Sequence, residues 1–247
     1  MDRMLYLAMN GAKQTALAQT ANSHNLANVN TTGFRQDLLA FESVPIEGPG
    51  IASRTFTLAR GPGVNLNPGP VNTTGRNLDV AINGDGFLAV QAPDGSEAYT
   101  RAGDLRVSSG GILTTGAGHP VLGNGGPISI QPAESISIGT DGTISIRPLG
   151  ESPDTILEVN RLKLVNPDLQ SLKKGEDGLL RVEGADVAPA DAAVRVASGA
   201  REGSNVNAVE ALVNMIALSR NYELNVKLMR VAQENDAADA QLLRMGQ

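Results

Sequence analysis

The sequence predicts an α+β protein, with long N- and C-terminal helices forming a coiled-coil-like inner domain and a central all-β domain of short antiparallel strands. Three observations carry this. Residues 205–245 contain neither Gly nor Pro, in a chain of 247 residues with 28 Gly and 13 Pro. Within that stretch Leu212, Ser219, Val226, Gln233 and Ala240 recur at seven-residue steps, and Met215, Tyr222, Met229, Asp236 and Leu243 do so three positions later. Two such interleaved series are the a/d seam of a coiled-coil helix. Between the chain ends, Asn-Gly, Asp-Gly and Pro-Asp-Gly clusters punctuate alternating apolar segments, as in a sandwich or barrel with turns about every eight to twelve residues.

The first element is a helix over about residues 2–28, with Leu5, Met9, Ala12, Ala16, Gln19, Ser23 and Leu26 at helical spacing. Its small side chains allow close approach of a second helix. It ends in Asn22-Ser23-His24-Asn25-Leu26-Ala27-Asn28-Val29-Asn30, where four Asn in nine residues compete with the backbone for hydrogen bonds. One reading is a frayed end stopped by Gly33; the other is a buried, amide-paired helix in an assembly. Residues 36–76 read as an extended linker, because Arg60-Gly61-Pro62-Gly63 and Asn67-Pro68-Gly69-Pro70 break regular structure and apolar residues are few.

Strands follow from Leu78. Leu78–Ile82 alternates, Asn83-Gly84-Asp85-Gly86 supplies a tight turn, and Phe87–Val90 returns. Further strands fit at 98–101, 105–107, 112–115, 120–122, 128–130, 135–138, 143–146, 157–165, 179–182 and 193–197. The closing helix begins near Asn205, with Ser204 or Asn205 placed to cap it and Glu210 in its first turn. The expected organisation is a discontinuous helical domain of residues 1–35 and 203–247, a linker of 36–76 and a β-rich domain of 77–202. The polar seam residues Ser219, Gln233 and Asp236 weaken a simple zipper. That leaves two readings: a long amphipathic helix packed on its own domain, or a helix that needs partners on several sides, within its own chain and from neighbours.

Composition removes several function classes. The net charge is −6, and residues 35–204 account for all of it with 20 acids against 14 bases. A nucleic-acid backbone is therefore not the expected partner, and with aromatics at 3% and no Trp there is no stacking platform. Zero Cys excludes disulfides and thiolate chemistry. No run of 18 apolar residues occurs, so no lipid insertion is expected. The apolar run Met4–Met9 is too short for the core of a cleaved signal peptide, so export is expected to use another route.

No catalytic, cofactor or metal residues are expected. Gly84-Asp85-Gly86-Phe87-Leu88-Ala89 matches a dinucleotide fingerprint only formally, because a strand rather than a helix follows it. His24 and His119 lie far apart on different elements, with no acidic cluster at ligand spacing. The Asp residues of the β region sit in or beside hairpins, where they serve as turn residues. A remote alternative from another class is an extracellular β-rich hydrolase using paired carboxylates.

Several motifs carry a family resemblance. Asn25-Leu26-Ala27-Asn28 followed by Thr32-Gly33-Phe34-Arg35 resembles the N-terminal signature of flagellar rod and hook proteins, the axial proteins of the bacterial flagellum. Asn77–Ile82, Gly84-Asp85-Gly86-Phe87, Tyr99-Thr100-Arg101-Ala102-Gly103, Gly118–Gly123 and Asp141-Gly142-Thr143-Ile144 are similar to their shared β block, and Arg201–Asn207 to their approach to the last helix. Within the family, Met1-Asp2-Arg3, Val44–Gly48, Arg161–Val165 and Gly203–Ala208 resemble the proximal rod type; the distal rod or hook type is the alternative.

This resemblance implies a structural, non-enzymatic subunit exported without a cleaved signal through the flagellar export apparatus. It implies homo-oligomerisation within a helical rod of the basal body, beside other proximal and distal rod proteins. It also implies a hollow shaft that transmits torque and conducts exported subunits. Interface residues are then expected at Leu5, Met9, Asn22, Asn25, Leu26, Asn28 and Phe34, and at Leu212, Met215, Ile216, Tyr222, Val226 and Met229. The terminal helices are expected to order fully only on assembly.

Overall fold

The computed structural model describes residues 3–45, 55–150, 155–184 and 187–245. The chain divides into two compact units. One comprises Met1–Ala27, Asp37–Gly63 and Val206–Gln247; the other comprises Asn28–Gln36 and Val64–Asn205.

The first unit holds two helices, α1 (Arg3–Ala27) and α2 (Ala208–Met245), and a two-stranded sheet of Asp37–Pro45 with Thr55–Val64. At about 1.5 Å per residue these helices measure roughly 38 and 57 Å. They run antiparallel. Asn22 Nδ2 donates to the Ala211 carbonyl (2.7 Å), while Gly11 lies so close to Asn225 that an added Cβ would meet its Oδ1 at 2.8 Å. The cap of α2 is Asn207, whose Oδ1 accepts from Val209 N at 3.0 Å and Glu210 N at 3.4 Å. The expected caps are otherwise engaged: Ser204 is buried, and Asn205 bonds to three backbone groups elsewhere.

The long coiled-coil pair expected from the heptads is not formed; two helices flank a many-stranded antiparallel region, and the α+β class stands. Leu212, Tyr222 and Val226 are 49%, 43% and 41% exposed, and Gln233 is exposed as well. Among the described residues, those buried on α2 are Ala211 and Ala232, and those buried on α1 are Ala8, Ala12, Gln14, Thr15, Ala18 and Asn25. Alanines and amides let two helices approach closely but supply no large knobs for facing holes. The buried face of α1 is also rotated from the expected one: Met9, Ala16 and Ser23 point outward.

Residues 37–64, expected as linker, contain that two-stranded sheet. Amides of α1 hold it. Asn25 makes a two-point clamp on Asp37, donating from Nδ2 to its carbonyl (2.9 Å) and accepting its N–H at Oδ1 (2.8 Å). Gln14 Oε1 accepts from Ala59 N (3.0 Å), and Asn10 Nδ2 donates to Thr57 O (2.8 Å). Of the dense Asn residues, Asn25 pairs with strand backbone, Asn22 with the Ala211 carbonyl of α2, and Asn28 with Thr31. Leu38, Phe41, Val44, Phe56 and Leu58 nevertheless stay exposed on the sheet.

The second unit contains short antiparallel ladders. A five-stranded sheet runs in the order Leu164–Val165, Phe87–Gln91, Glu97–Thr100, Leu180–Val182, Leu172–Lys174. Strand periodicity explains how this sheet is covered on both sides. Leu88, Val90 and Ala98 join one cluster with Leu105, Leu113, Val121, Ile128 and Ile144, while Phe87, Ala89, Tyr99 and Leu180 join a second. Burial raises the Tyr99 phenol above its ordinary range, and its hydroxyl accepts from Ala188 N at 2.8 Å. Ala133–Ile138, Thr143–Pro148 and Leu157–Arg161 form a three-stranded sheet; Val80–Asn83 pairs with Arg195–Ser198, and Val71–Thr73 with Ala200–Glu202. A strand does follow Gly84-Asp85-Gly86, so that turn leads from Val80–Asn83 into Phe87–Gln91 of the five-stranded sheet and not into a phosphate-binding helix.

Candidate assembly surfaces and a buried junction

The sequence-predicted interface residues fall into two groups. Exposed are Met9 (54%), Leu212, Ile216 (56%), Tyr222 and Val226; half-buried are Leu5, Leu26, Met215 and Met229. The others are engaged inside the chain. Asn25 is buried in its clamp on Asp37, Asn22 bonds α2, and Asn28 Oδ1 accepts from Thr31 Oγ1 at 3.1 Å. Phe34 is buried, with Lys174 Nζ 3.9 Å from its ring centre.

Residues that the sequence reading did not single out extend the exposed surface. Val209, Val213, Leu224, Leu228 and Val231 all face outward on α2, which is therefore apolar around much of its girth. These apolar side chains stand among exposed charges such as Arg220, Glu223 and Lys227, and exposed apolar residues in this number mark an interaction surface. No helix among the described residues is long and apolar enough to cross a membrane.

The second unit contains a junction of three distant segments built on a buried charge cluster. Glu202 Oε1 accepts from Arg35 Nη2 (2.6 Å) and from Gly69 N (2.7 Å), and Glu202 Oε2 accepts from Arg101 Nη1 (3.1 Å). Arg35, Arg101 and Glu202 are 3%, 6% and 1% exposed. Arg101 also donates from Nη2 to Gly84 O (2.8 Å) and lies 5.2 Å above the Phe87 ring. Burial lowers the Arg101 guanidinium from its ordinary value, while Glu202 raises it again and Arg35 opposes that. Arginine remains charged under such shifts, so two cations share one carboxylate. Breaking a buried pair of this kind costs about 3–5 kcal/mol, although apolar packing of the same volume often serves stability as well.

Backbone bonds zip the same segments together. Gly33 N donates to Glu202 O (2.9 Å), Asn205 N to Phe34 O (3.3 Å), Asn65 N to Gln36 O (2.9 Å) and Gly203 N to Pro70 O (2.8 Å). Asn205 ties all three: Oδ1 accepts from Gln36 N at 2.8 Å, and Nδ2 donates to Asn65 O at 2.8 Å and Asn67 O at 2.9 Å. Lys174 Nζ adds a bond to Arg35 O at 2.8 Å. The approach tolerates only glycine at two points. Gly33 has φ +65°, and a Cβ there would lie 2.2 Å from Ala102 N; a Cβ on Gly69 would lie 2.4 Å from Gly203 O. Each charge stands inside a motif that marks the family resemblance, but nothing local in the sequence says that they meet.

Comparison with known proteins places these segments in one family. Residues 5–35 match the family described as flagella basal body rod protein, 81–146 the flagellar hook protein FlgE/F/G D1 domain, and 197–242 the flagellar basal body rod FlgEFG protein C-terminal region. Arg35, Arg101 and Glu202 lie one in each matched region. The chain is 43% identical to the flagellar basal-body rod protein FlgF of Salmonella typhimurium, over 99% of this chain and all of that protein. It is 35% identical to FlgF of Caulobacter vibrioides, over 93% of each, and 33% identical to the rod protein FlgG of Bacillus subtilis, over 95% and 96%. The chain thus belongs to the flagellar basal-body rod protein family, on the side of its FlgF-type members.

Proposed function

We propose that this chain builds the proximal rod by polymerising, with copies of itself and with other rod proteins, through the outward surfaces of α1 and α2. As a family member it is a structural subunit of the flagellar basal-body rod, and the basal body is where it resides. The higher identity to FlgF than to FlgG supports the proximal over the distal position. The observation that carries the assembly reading is the exposed apolar surface of α2, with Val209, Val213, Ile216 and Leu224 each more than half exposed. A contiguous apolar surface of this extent marks a protein-binding face.

In this reading Met9, Leu212, Ile216, Tyr222 and Val226 meet neighbouring subunits. Leu5, Leu26, Met215 and Met229 contribute to both intra- and intersubunit packing, and Asn22, Asn25, Asn28 and Phe34 act by shaping the subunit that is presented. Residues 1–35 with 203–247 form the assembling part, 36–76 the connection and 77–202 the β-rich body. Heterologous contacts repeated by a helical operator extend a tube rather than close a ring. The subunit works mechanically, without catalysis: it passes through the export apparatus, joins a hollow shaft, transmits torque and leaves a channel for later subunits. Deleting the gene and imaging hook–basal bodies by electron microscopy tests this. A rod that stops before its distal segment, with no filament, is the expected result; intact basal bodies and normal swimming would overturn it.

A further inference from the structure

We propose that the Arg35–Glu202–Arg101 cluster is a latch that makes residues 28–36, 65–70 and 202–205 open and close as one cooperative unit. The geometry leaves little room for separate release. The Glu202 carboxylate holds Arg35 of the first segment and the Gly69 amide of the second, and its own backbone carbonyl holds Gly33. Asn205, three residues on, bonds Gln36, Asn65 and Asn67 through one side chain. Freeing any one segment therefore removes hydrogen-bond partners from the other two, and freeing 202–205 also leaves Arg35 and Arg101 buried without their counter-ion, which is costly.

The location gives the latch its consequence. The chain passes between the two units after Ala27, Gln36, Gly63 and Asn205. On the β-rich side all four passages lie in or within two residues of this junction. One carboxylate thus governs the connections to α1, to the two-stranded sheet and to α2. The chain leaving α1 cannot be loosened while the chain entering α2 stays fixed. This coupling does not depend on the rod assignment, since it follows from contacts inside the β-rich unit.

Native-state hydrogen exchange on the full chain in sub-denaturing urea tests the latch. The reporters are the amides of Gly33 and Gln36 on one side and of Gly69 and Gly203 on the other; those of Leu113 and Val121 report opening of the whole unit. The four junction amides are expected to share one opening, with a smaller urea dependence than Leu113 and Val121. The Arg35→Met variant loses the charged hydrogen bond to Glu202 while Arg101 still balances the carboxylate, and all four amides exchange faster by a common factor, on the order of tenfold to a hundredfold. Should Arg35→Met not fold, Arg35→Lys keeps the charge, loses the fork and gives the same shared pattern at a smaller factor. Faster exchange at Gly33 and Gln36 with wild-type exchange at Gly69 and Gly203 would overturn the proposal. So would junction amides that exchange only with Leu113 and Val121, because the junction would then be no unit of its own.

Discussion

The β-rich unit and the helical unit solve the burial problem in opposite ways. In the former, Leu105, Leu113, Val121 and Ile128 are wholly buried, and both faces of the five-stranded sheet are covered by side chains of the same chain. In the latter, the buried residues are mainly alanines and amides, while Ile216, Leu224 and Phe41 stay more than half exposed. A fold satisfied within one chain can stand alone. A helix pair that turns its large apolar side chains outward has its stabilising surface still to bury, and its order depends on what it meets. Under the proposed assembly, one unit is finished on folding and the other on polymerising.

The sharpest way to break that contrast is to destabilise the finished unit from its charges. Glu202→Gln leaves Arg35 and Arg101 buried without their counter-ion, and the expected loss is about 3–5 kcal/mol in urea unfolding. A loss below about 1 kcal/mol would mean that the cluster is replaceable and that apolar packing alone holds the unit. Close behind, Leu113→Ala removes a fully buried side chain from the larger cluster. The expected cost is about 2–5 kcal/mol, set by how far the neighbours collapse into the space.

How far each unit was legible in the sequence follows the same division. Strand positions are local: Asn83-Gly84-Asp85-Gly86 carries positive φ at Gly84 and Gly86 and separates Val80–Asn83 from Phe87–Gln91, close to where the alternating pattern sets them. The two strands pair with Arg195–Ser198 and Glu97–Thr100 and not with each other, and that pairing is not local. The helix register was not legible, because Leu212, Val213, Met215 and Ile216 stand nearly side by side and several three-and-four series fit equally. What chooses among them is Asn225 against Gly11 and Ala211 against Asn22, contacts that no periodicity contains. The two-stranded sheet was missed because it rests on Asn10, Gln14 and Asn25 of another element rather than on an apolar alternation of its own. Of the expected interface residues on α2, Leu212, Ile216, Tyr222 and Val226 are outward and Met215 and Met229 half-buried, whereas the amides read with them are occupied inside the chain. The junction was hidden for a plainer reason: Arg35 and Glu202 are 167 residues apart.

A smaller effect tests whether the helical unit has any internal order of its own. Asn25→Ala leaves the N–H and carbonyl of Asp37 without their side-chain partner, for an expected cost of about 1–3 kcal/mol. Exchange should accelerate at Asp37 and Ala59 while Leu113 keeps its wild-type rate. If Leu113 accelerated equally, the two units would unfold together and the contrast between them would not be thermodynamic.

The smallest effect on the free subunit is the one that carries most weight for function. Ile216 is 56% exposed on α2, so Ile216→Ser should change the unfolding free energy of the monomer by no more than about 0.5 kcal/mol, as surface substitutions do. In an assembled shaft the same side chain would bury its apolar area at a subunit contact, worth about 1.5–3 kcal/mol for full burial. Each subunit added repeats that loss. Monomer melting should therefore be unchanged while rod completion, counted on electron micrographs of basal bodies, falls steeply. A destabilised monomer would place Ile216 in an internal core. Normal melting with normal rods would remove it from the interface and shift the assembling surface to other outward residues of α2. Comparing the two measurements on one variant thus separates the two ways in which this chain buries apolar surface.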